Sequence, residues 1–118
     1  PTSICIEPSL YLSLKFITPT LPNSTTGGNI IIGKGSGAAI TTGTWNVVIG
    51  ADSFALNTQG YSNTCVGKYS MTKNTTGHNN TAVGDQALQG NTTGTANVAV
   101  GMTALFGNTT ASNNIGIA

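Results

Sequence analysis

The sequence predicts an all-β protein, a left-handed parallel β-roll or β-solenoid built from coils of 17 residues. Three observations lead to this fold class: a fixed internal repeat, β-branched residues that alternate next to a glycine in every repeat, and a composition that disfavours helices. Only 6% of the 118 residues are charged, and glycine, threonine and asparagine take the place of lysine and glutamate.

The repeat appears as columns of identical residues seventeen positions apart. The asparagine column comprises Asn29, Asn46, Asn63, Asn80, Asn97 and Asn114. A glycine column follows four residues later, at Gly33, Gly50, Gly67, Gly84 and Gly101, with Ala118 in the sixth place. A second glycine column comprises Gly43, Gly60, Gly77 and Gly94. Five periods without insertion or deletion predict stacked coils, in which the glycines supply turns with positive φ and each asparagine amide bonds to its copy in the next coil.

A short strand is predicted just before the first glycine of each repeat. The residue next to that glycine is always β-branched, at Ile32, Ile49, Val66, Val83, Val100 and Ile117. The residue two positions earlier belongs to the column Ile30, Val47, Thr64, Thr81, Val98 and Ile115. Because alternate residues of a strand share a face, we assign both columns to the core.

The residue between these two columns is predicted to point outward. This middle column is Ile31, Val48, Cys65, Ala82, Ala99 and Gly116. Phe54, Met71, Leu88 and Leu105 form an apolar column that closes the core from the opposite wall. A 17-residue coil is short for a right-handed β-helix, which favours a narrow left-handed roll. Such a roll buries little alone, so the apolar middle column predicts side-by-side packing into a homotrimer.

The chain divides into a non-repeating segment, residues 1–22, and the repeat domain, residues 23–118. In the first segment Leu10, Leu12, Leu14 and Phe16 alternate with polar residues and predict one apolar strand face. Two interpretations stay open: a cap on the same subunit, and a strand donated to a neighbouring subunit. The repeat reaches Ala118 in phase and without a polar cap. We therefore expect head-to-tail stacking into filaments.

The composition argues against several classes of function. A net charge of +1 gives no basis for binding nucleic acid, and the longest apolar run is too short to insert into a membrane. The only histidine, His78, and the scattered Asp52 and Asp85 assemble no catalytic triad, acid–base pair or metal site, so we expect neither an enzyme nor a cofactor. For Cys5 and Cys65 a disulfide and two buried thiols both remain open.

The pattern N-x-[AV]-[VI]-G-x-x-[SA]-[LMF]…N-T-x-G resembles the repeats of trimeric autotransporter adhesin heads. Its longer form, NTAVG…AL…NTTG, is also similar to repeats in phage and giant-virus fibre proteins. The resemblance covers residues 23–118. It implies three left-handed parallel β-rolls in a homotrimer with a surface-exposed binding or spacer role, although the period here is longer than in those heads.

Two functional hypotheses follow. The first is a structural subunit that assembles with itself into an extracellular or virion-associated fibre. The second is a receptor- or glycan-binding shaft or head of a trimeric adhesin or viral tail fibre. An exposed aromatic patch or a distinct non-repeating tip would favour the second hypothesis. The sequence shows neither, and Trp45 and Tyr61 are the only large rings near a predicted turn.

Overall fold

The computed structural model describes residues 14–17 and 27–118, which form a parallel β-solenoid. Its strands are β1 (Leu14–Ile17), β2 (Asn29–Ile32), β3 (Val47–Ile49), β4 (Thr64–Val66), β5 (Thr81–Val83), β6 (Val98–Val100) and β7 (Ile115–Ile117). The strands form one sheet in chain order, and β2 to β7 are parallel. From β2 onward each strand pairs with the same positions of the next coil, as Val48 does with Cys65. These ranges contain no helix, and the predicted all-β solenoid with 17-residue coils is confirmed.

Strand β1 lies at one edge of this sheet and runs antiparallel to β2 of its own chain. The register places Leu14 opposite Ile32 and Phe16 opposite Ile30. Within the single chain β1 pairs with β2, and donation of the strand to a neighbouring subunit stays a prediction. Leu10, Leu12 and the predicted boundary between residues 22 and 23 lie outside the described residues.

The core contains the opposite strand face from the one that the alternation suggested. Our assignment of Ile32, Ile49, Val66, Val83, Val100 and Ile117 to the core is wrong, because these side chains are half-buried or exposed. The predicted outward column is instead the buried one, with Ile31 at 1% exposure and Val48, Cys65, Ala82 and Ala99 at 0%.

The asparagine that precedes each strand explains this reversal. Asn46 is fully buried and lies two residues before Val48, so the two side chains share a face. Val47 and Ile49 then necessarily point the other way. A strand of three residues whose middle side chain points inward has two side chains that point outward.

In the first coil and in the last coils the buried middle column and the opposite wall compensate each other in size, whereas Val48 and Phe54 are both large. The coil with the large Ile31 has Gly37 on the opposite wall, where a Cβ would lie 2.7 Å from Ile31 Cδ1. The coils with Ala82 and Ala99 have Leu88 and Leu105 instead. Phe54, Met71 and Leu88 are fully buried, as predicted for the second apolar column. The core is therefore about one apolar pair thick, and neither member can change size alone.

Two asparagine ladders run beside this apolar core. In the first, Asn63 donates from Nδ2 to Asn46 Oδ1 at 3.1 Å and to the Gly77 carbonyl at 3.0 Å. Its own Oδ1 accepts from the backbone N–H of Asn80 at 3.0 Å. The second ladder comprises Asn57, Asn74, Asn91 and Asn108, in which Nδ2 of each later asparagine donates to Oδ1 of the one before it. The backbone N–H groups of this ladder donate within their own coil instead, as Asn74 does to the Met71 carbonyl. The predicted amide bonding between coils is confirmed.

The two glycine columns serve different purposes. The first has φ between 114° and 139°, and a Cβ there would overlap the carbonyl of the next residue in the column. The second column does not supply positive φ, contrary to our expectation. A Cβ at Gly60 would instead collide with Asn57 Oδ1 and the Gly77 carbonyl. Glycine is required there because the asparagine ladder approaches the backbone closely.

Candidate functional site: an apolar outward face and an aromatic corner

The outer face of the sheet is an apolar surface without charge. We call it the outward face and define it by the two columns that flank the buried one: Ile30, Val47, Thr64, Thr81, Val98 and Ile115, and Ile32, Ile49, Val66, Val83, Val100 and Ile117. Ten of these twelve residues are Ile or Val and two are Thr. In the middle of the sheet, Val83, Val98 and Val100 are 36 to 39% exposed although neighbouring strands cover them on both sides.

The predicted assembly residues are distributed differently from our expectation. Ile31, Val48, Ala82 and Ala99 are buried inside the solenoid and cannot contact another chain directly. Ala118 is exposed at the end of the described chain, beside β7, and its N–H donates to the Val100 carbonyl at 3.0 Å. Leu14 and Phe16 lie in β1, at the opposite edge of the sheet. The sheet has an apolar outer surface, as predicted, but the two columns on either side of the middle column form it.

The corner that precedes the strands carries one aromatic side chain in each of three successive coils, and two of the three rings are in contact. We call this region the aromatic corner and define it by Trp45, Tyr61 and His78, which lie in three successive coils. The rings of Tyr61 and His78 stack with centroids 4.4 Å apart and an angle of 9° between their planes. Trp45 is 67% exposed, and a methyl group on Gly28 would overlap its indole ring. Sequence reasoning placed Tyr61 and His78 in one column but did not identify the stack.

Trp45 occupies this corner in a left-handed backbone conformation, with φ of 60°. Its column continues with Ser62, Asn79, Ala96 and Asn113, all of which have φ between 55° and 63°. Small or amide side chains suit this conformation, whereas a bulky one is unusual there. The tight corner imposes the strained φ, but nothing in the corner requires an indole.

The ionisable groups of the described chain do not converge on a reaction centre. No cluster of three or more His, Cys, Asp or Glu side chains able to hold a metal exists among them. Cys65 is a free thiol whose Sγ lies 3.3 Å from Met71 Sδ, and burial raises its pKa well above the ordinary value. Such a thiol stays protonated and is a poor nucleophile. Cys5, its proposed disulfide partner, lies outside the described residues.

One carboxylate oxygen, Oδ1 of Asp85, is buried without a hydrogen-bond partner. The hydroxyl of Ser70 is buried and unpartnered as well, although Ser53 in the same column donates to the Gly50 carbonyl at 3.1 Å. The two atoms belong to different columns. In residues 27–118 no helix has the length and apolarity needed to cross a membrane.

Comparison with known proteins gives no relative: the chain matches no protein-family model, no curated protein and no solved structure.

Proposed function

We propose that this chain is the structural subunit of an extracellular or virion-associated fibre and that it assembles with itself through the outward face. The observation that carries the proposal is the composition of that face, ten aliphatic β-branched residues and two threonines without a charge. Removing such a surface from water is favourable, and a contiguous apolar patch on a sheet is typical of an interaction site.

A second copy of the same chain is the partner that fits this face best. The coils are spaced at about 4.8 Å, the strand spacing of a sheet, so the ridges of one outward face match those of another copy. An uncharged face offers no attraction to an acidic or basic partner. Val, Ile and Thr also suit close packing between sheets because their branched side chains have few rotamers to lose.

A homotrimer of left-handed rolls is the arrangement we propose. Three copies around one axis bury all three outward faces in a closed assembly. The resemblance of residues 23–118 to the repeats of trimeric adhesin heads and viral fibre proteins supports this number. The buried area then comes from neighbouring subunits, which offsets the small core of each roll.

Head-to-tail stacking of these trimers would extend them into filaments. In the described residues β1 and β7 are the two edge strands, and each leaves one row of backbone groups unpaired. We propose that β7 of one subunit, next to Ala118, pairs with β1 of the next, where Leu14 and Phe16 lie. Because such a contact joins two different surfaces, it does not close and produces a filament.

A lysine on the outward face tests the side-by-side contact. We expect Val83→Lys to convert trimers into monomers with an unchanged far-UV circular dichroism spectrum, because the charge would be desolvated in the interface. Thr76→Lys is the matched control, since Thr76 is exposed and lies outside the strands. Sedimentation velocity measures both. The proposal fails if the unmodified chain is a stable monomer at tens of micromolar, or if both variants remain trimeric.

Removal of residues 1–18 tests the stacking contact separately. Electron microscopy should show filaments for the unmodified chain and only discrete particles for the shortened one, while sedimentation still shows trimers. Normal filaments from the shortened chain would mean that β1 is only a local cap.

A further inference from the structure

We propose that the aromatic corner is a binding site for a neutral oligosaccharide, which it holds by ring stacking and hydroxyl contacts. The inference does not depend on self-assembly, because Trp45, Tyr61 and His78 precede the strands and do not belong to the outward face. It gives the receptor- or glycan-binding alternative a defined location and a class of ligand.

The first argument is the exposure of large rings at a strained position. Trp45 is 67% exposed and adopts φ of 60°, where other coils have serine, alanine or asparagine. An exposed indole gains little for folding, and a bulky residue in left-handed backbone is strained. The positive φ is common to the whole column, so the feature particular to Trp45 is a large ring that is mostly exposed to solvent, where it can contact a ligand.

The second argument is the chemistry around the rings. Ser62 and Asn79 are exposed in the column of Trp45, and the column of Tyr61 and His78 continues to Thr95, whose hydroxyl lies 3.1 Å from the hydroxyl of Ser112. The corner columns carry no carboxylate, lysine or arginine. Amphipathic rings beside hydroxyl and amide groups suit a ligand with an apolar face and hydroxyl edges. A pyranose chain has that character, whereas a charged peptide or a nucleic acid would find no opposite charge.

The third argument is the linear arrangement of the corner. Trp45, Tyr61 and His78 occupy consecutive coils, so their backbone positions span roughly 10 Å along the solenoid axis at the strand spacing of a sheet. The stacked pair holds Tyr61 and His78 fixed relative to each other, and Gly28 leaves room for the indole. A platform that is rigid before binding loses less entropy on binding. This length suits an oligosaccharide better than a single sugar.

The experiment uses the intact chain on an array of neutral, sialylated and sulfated oligosaccharides. The variants Trp45→Asn and Tyr61→Thr use residues already present in the same columns, at Asn79 and Asn113 and at Thr44 and Thr95, so both should fold. Phe106→Ala is the control, because it removes a 46% exposed ring away from the corner. Trp45 is the only tryptophan, so its fluorescence reports binding of any hit in solution.

We expect retention of at least one neutral oligosaccharide, a fluorescence change on titration, and at least tenfold weaker binding by Trp45→Asn and Tyr61→Thr but not by Phe106→Ala. The proposal is overturned if no neutral glycan is retained, if only sialylated or sulfated glycans bind, or if Trp45→Asn binds equally well. It is also overturned if Trp45→Asn dissociates the oligomer in sedimentation, because the rings would then belong to a contact between subunits. Loss of trimers in Val83→Lys with unchanged glycan binding would separate the two functions.

Discussion

Asn80 and Asn79 are neighbours in sequence, but the structure predicts opposite consequences for their replacement by alanine. Asn80 is buried in the first ladder, where its Nδ2 donates to Asn63 Oδ1 at 3.2 Å and to the Gly94 carbonyl at 2.9 Å. Its Oδ1 accepts from the backbone N–H of Asn97 at 3.0 Å and from Asn97 Nδ2 at 3.2 Å. Asn79 is exposed, with φ of 59°.

The magnitude follows from the groups that Asn80→Ala would leave unpaired. The Gly94 carbonyl keeps a bond from Asn91 Nδ2 at 3.1 Å, and Asn63 Oδ1 keeps the backbone N–H of residue 80. The backbone N–H and one Nδ2 hydrogen of Asn97 lose their acceptor. At about 1 to 3 kcal/mol for each buried unsatisfied group, Asn80→Ala should lower the free energy of unfolding by roughly 2 to 6 kcal/mol.

Asn79→Ala is the matched control, because Ala96 occupies the same position one coil later with φ of 56°. We expect this change to cost less than about 1 kcal/mol, as for an exposed site without a buried partner. Urea unfolding followed by circular dichroism measures both variants at one protein concentration, since assembly makes stability depend on concentration. A difference below 1 kcal/mol between the two variants would refute the account of the ladder.

Two further predictions concern the core. In the Val83→Lys background, which we expect to be monomeric, Leu88→Ala should destabilise the fold by about 2 to 5 kcal/mol because it empties a buried position. In the same background Val100→Ala, on the outward face, should cost under about 1 kcal/mol, and equal melting temperatures for the two variants would contradict the burial described here. Burial raises the pKa of the Cys65 thiol, so the unfolded chain loses this proton at a lower pH than the folded one. The contribution of this thiol to the free energy of unfolding should therefore be fully present below the ordinary thiol pKa. As pH rises above that value, the free energy of unfolding should fall by up to about 1.4 kcal/mol per pH unit. Cys65→Ala should remove this part of the pH dependence, as measured by urea titrations at several pH values.

The sequence was sufficient for the coil length, the strand positions and the asparagine ladder because all three follow from the 17-residue spacing. Residues at equivalent positions of successive coils are neighbours in a solenoid. Asn46 and Asn63 could therefore be paired without knowing the path of the coil between them. The same spacing placed Tyr61 and His78 in one column. Their ring stack depends on side-chain rotamers, which the spacing does not specify.

The direction of each strand face could not be read from alternation, because both faces of β3 to β6 are largely apolar. Alternation identifies a core face only when the opposite face is polar. Two signals could have decided the question. The first is that each asparagine lies two residues before the middle column, so that both side chains share one face of the strand. A continuous ladder of amides is expected to be buried, which assigns that face to the interior. The other is the pairing of large Ile31 with Gly37, and of small Ala82 with Leu88, across the core.

The second asparagine ladder restricts the compartments in which this fold can form. Asn74, Asn91 and Asn108 each begin an Asn-Thr-Thr sequence, an acceptor for N-linked glycosylation. In the fold, both Nδ2 hydrogens of each are donated: those of Asn74, for example, to Asn57 Oδ1 at 2.8 Å and to the Gly77 carbonyl at 3.0 Å.

A glycan replaces one of these hydrogens and needs a path to solvent, so a sugar on Asn74 and a closed ladder exclude each other. A eukaryotic secretory pathway that modified these sites before folding would trap the chain outside the solenoid. Asn79, also in an Asn-x-Thr sequence, is exposed and would carry a sugar without breaking a ladder bond. Production of the native solenoid thus requires either a cell without this modification or coils that close before the glycosylating enzyme acts.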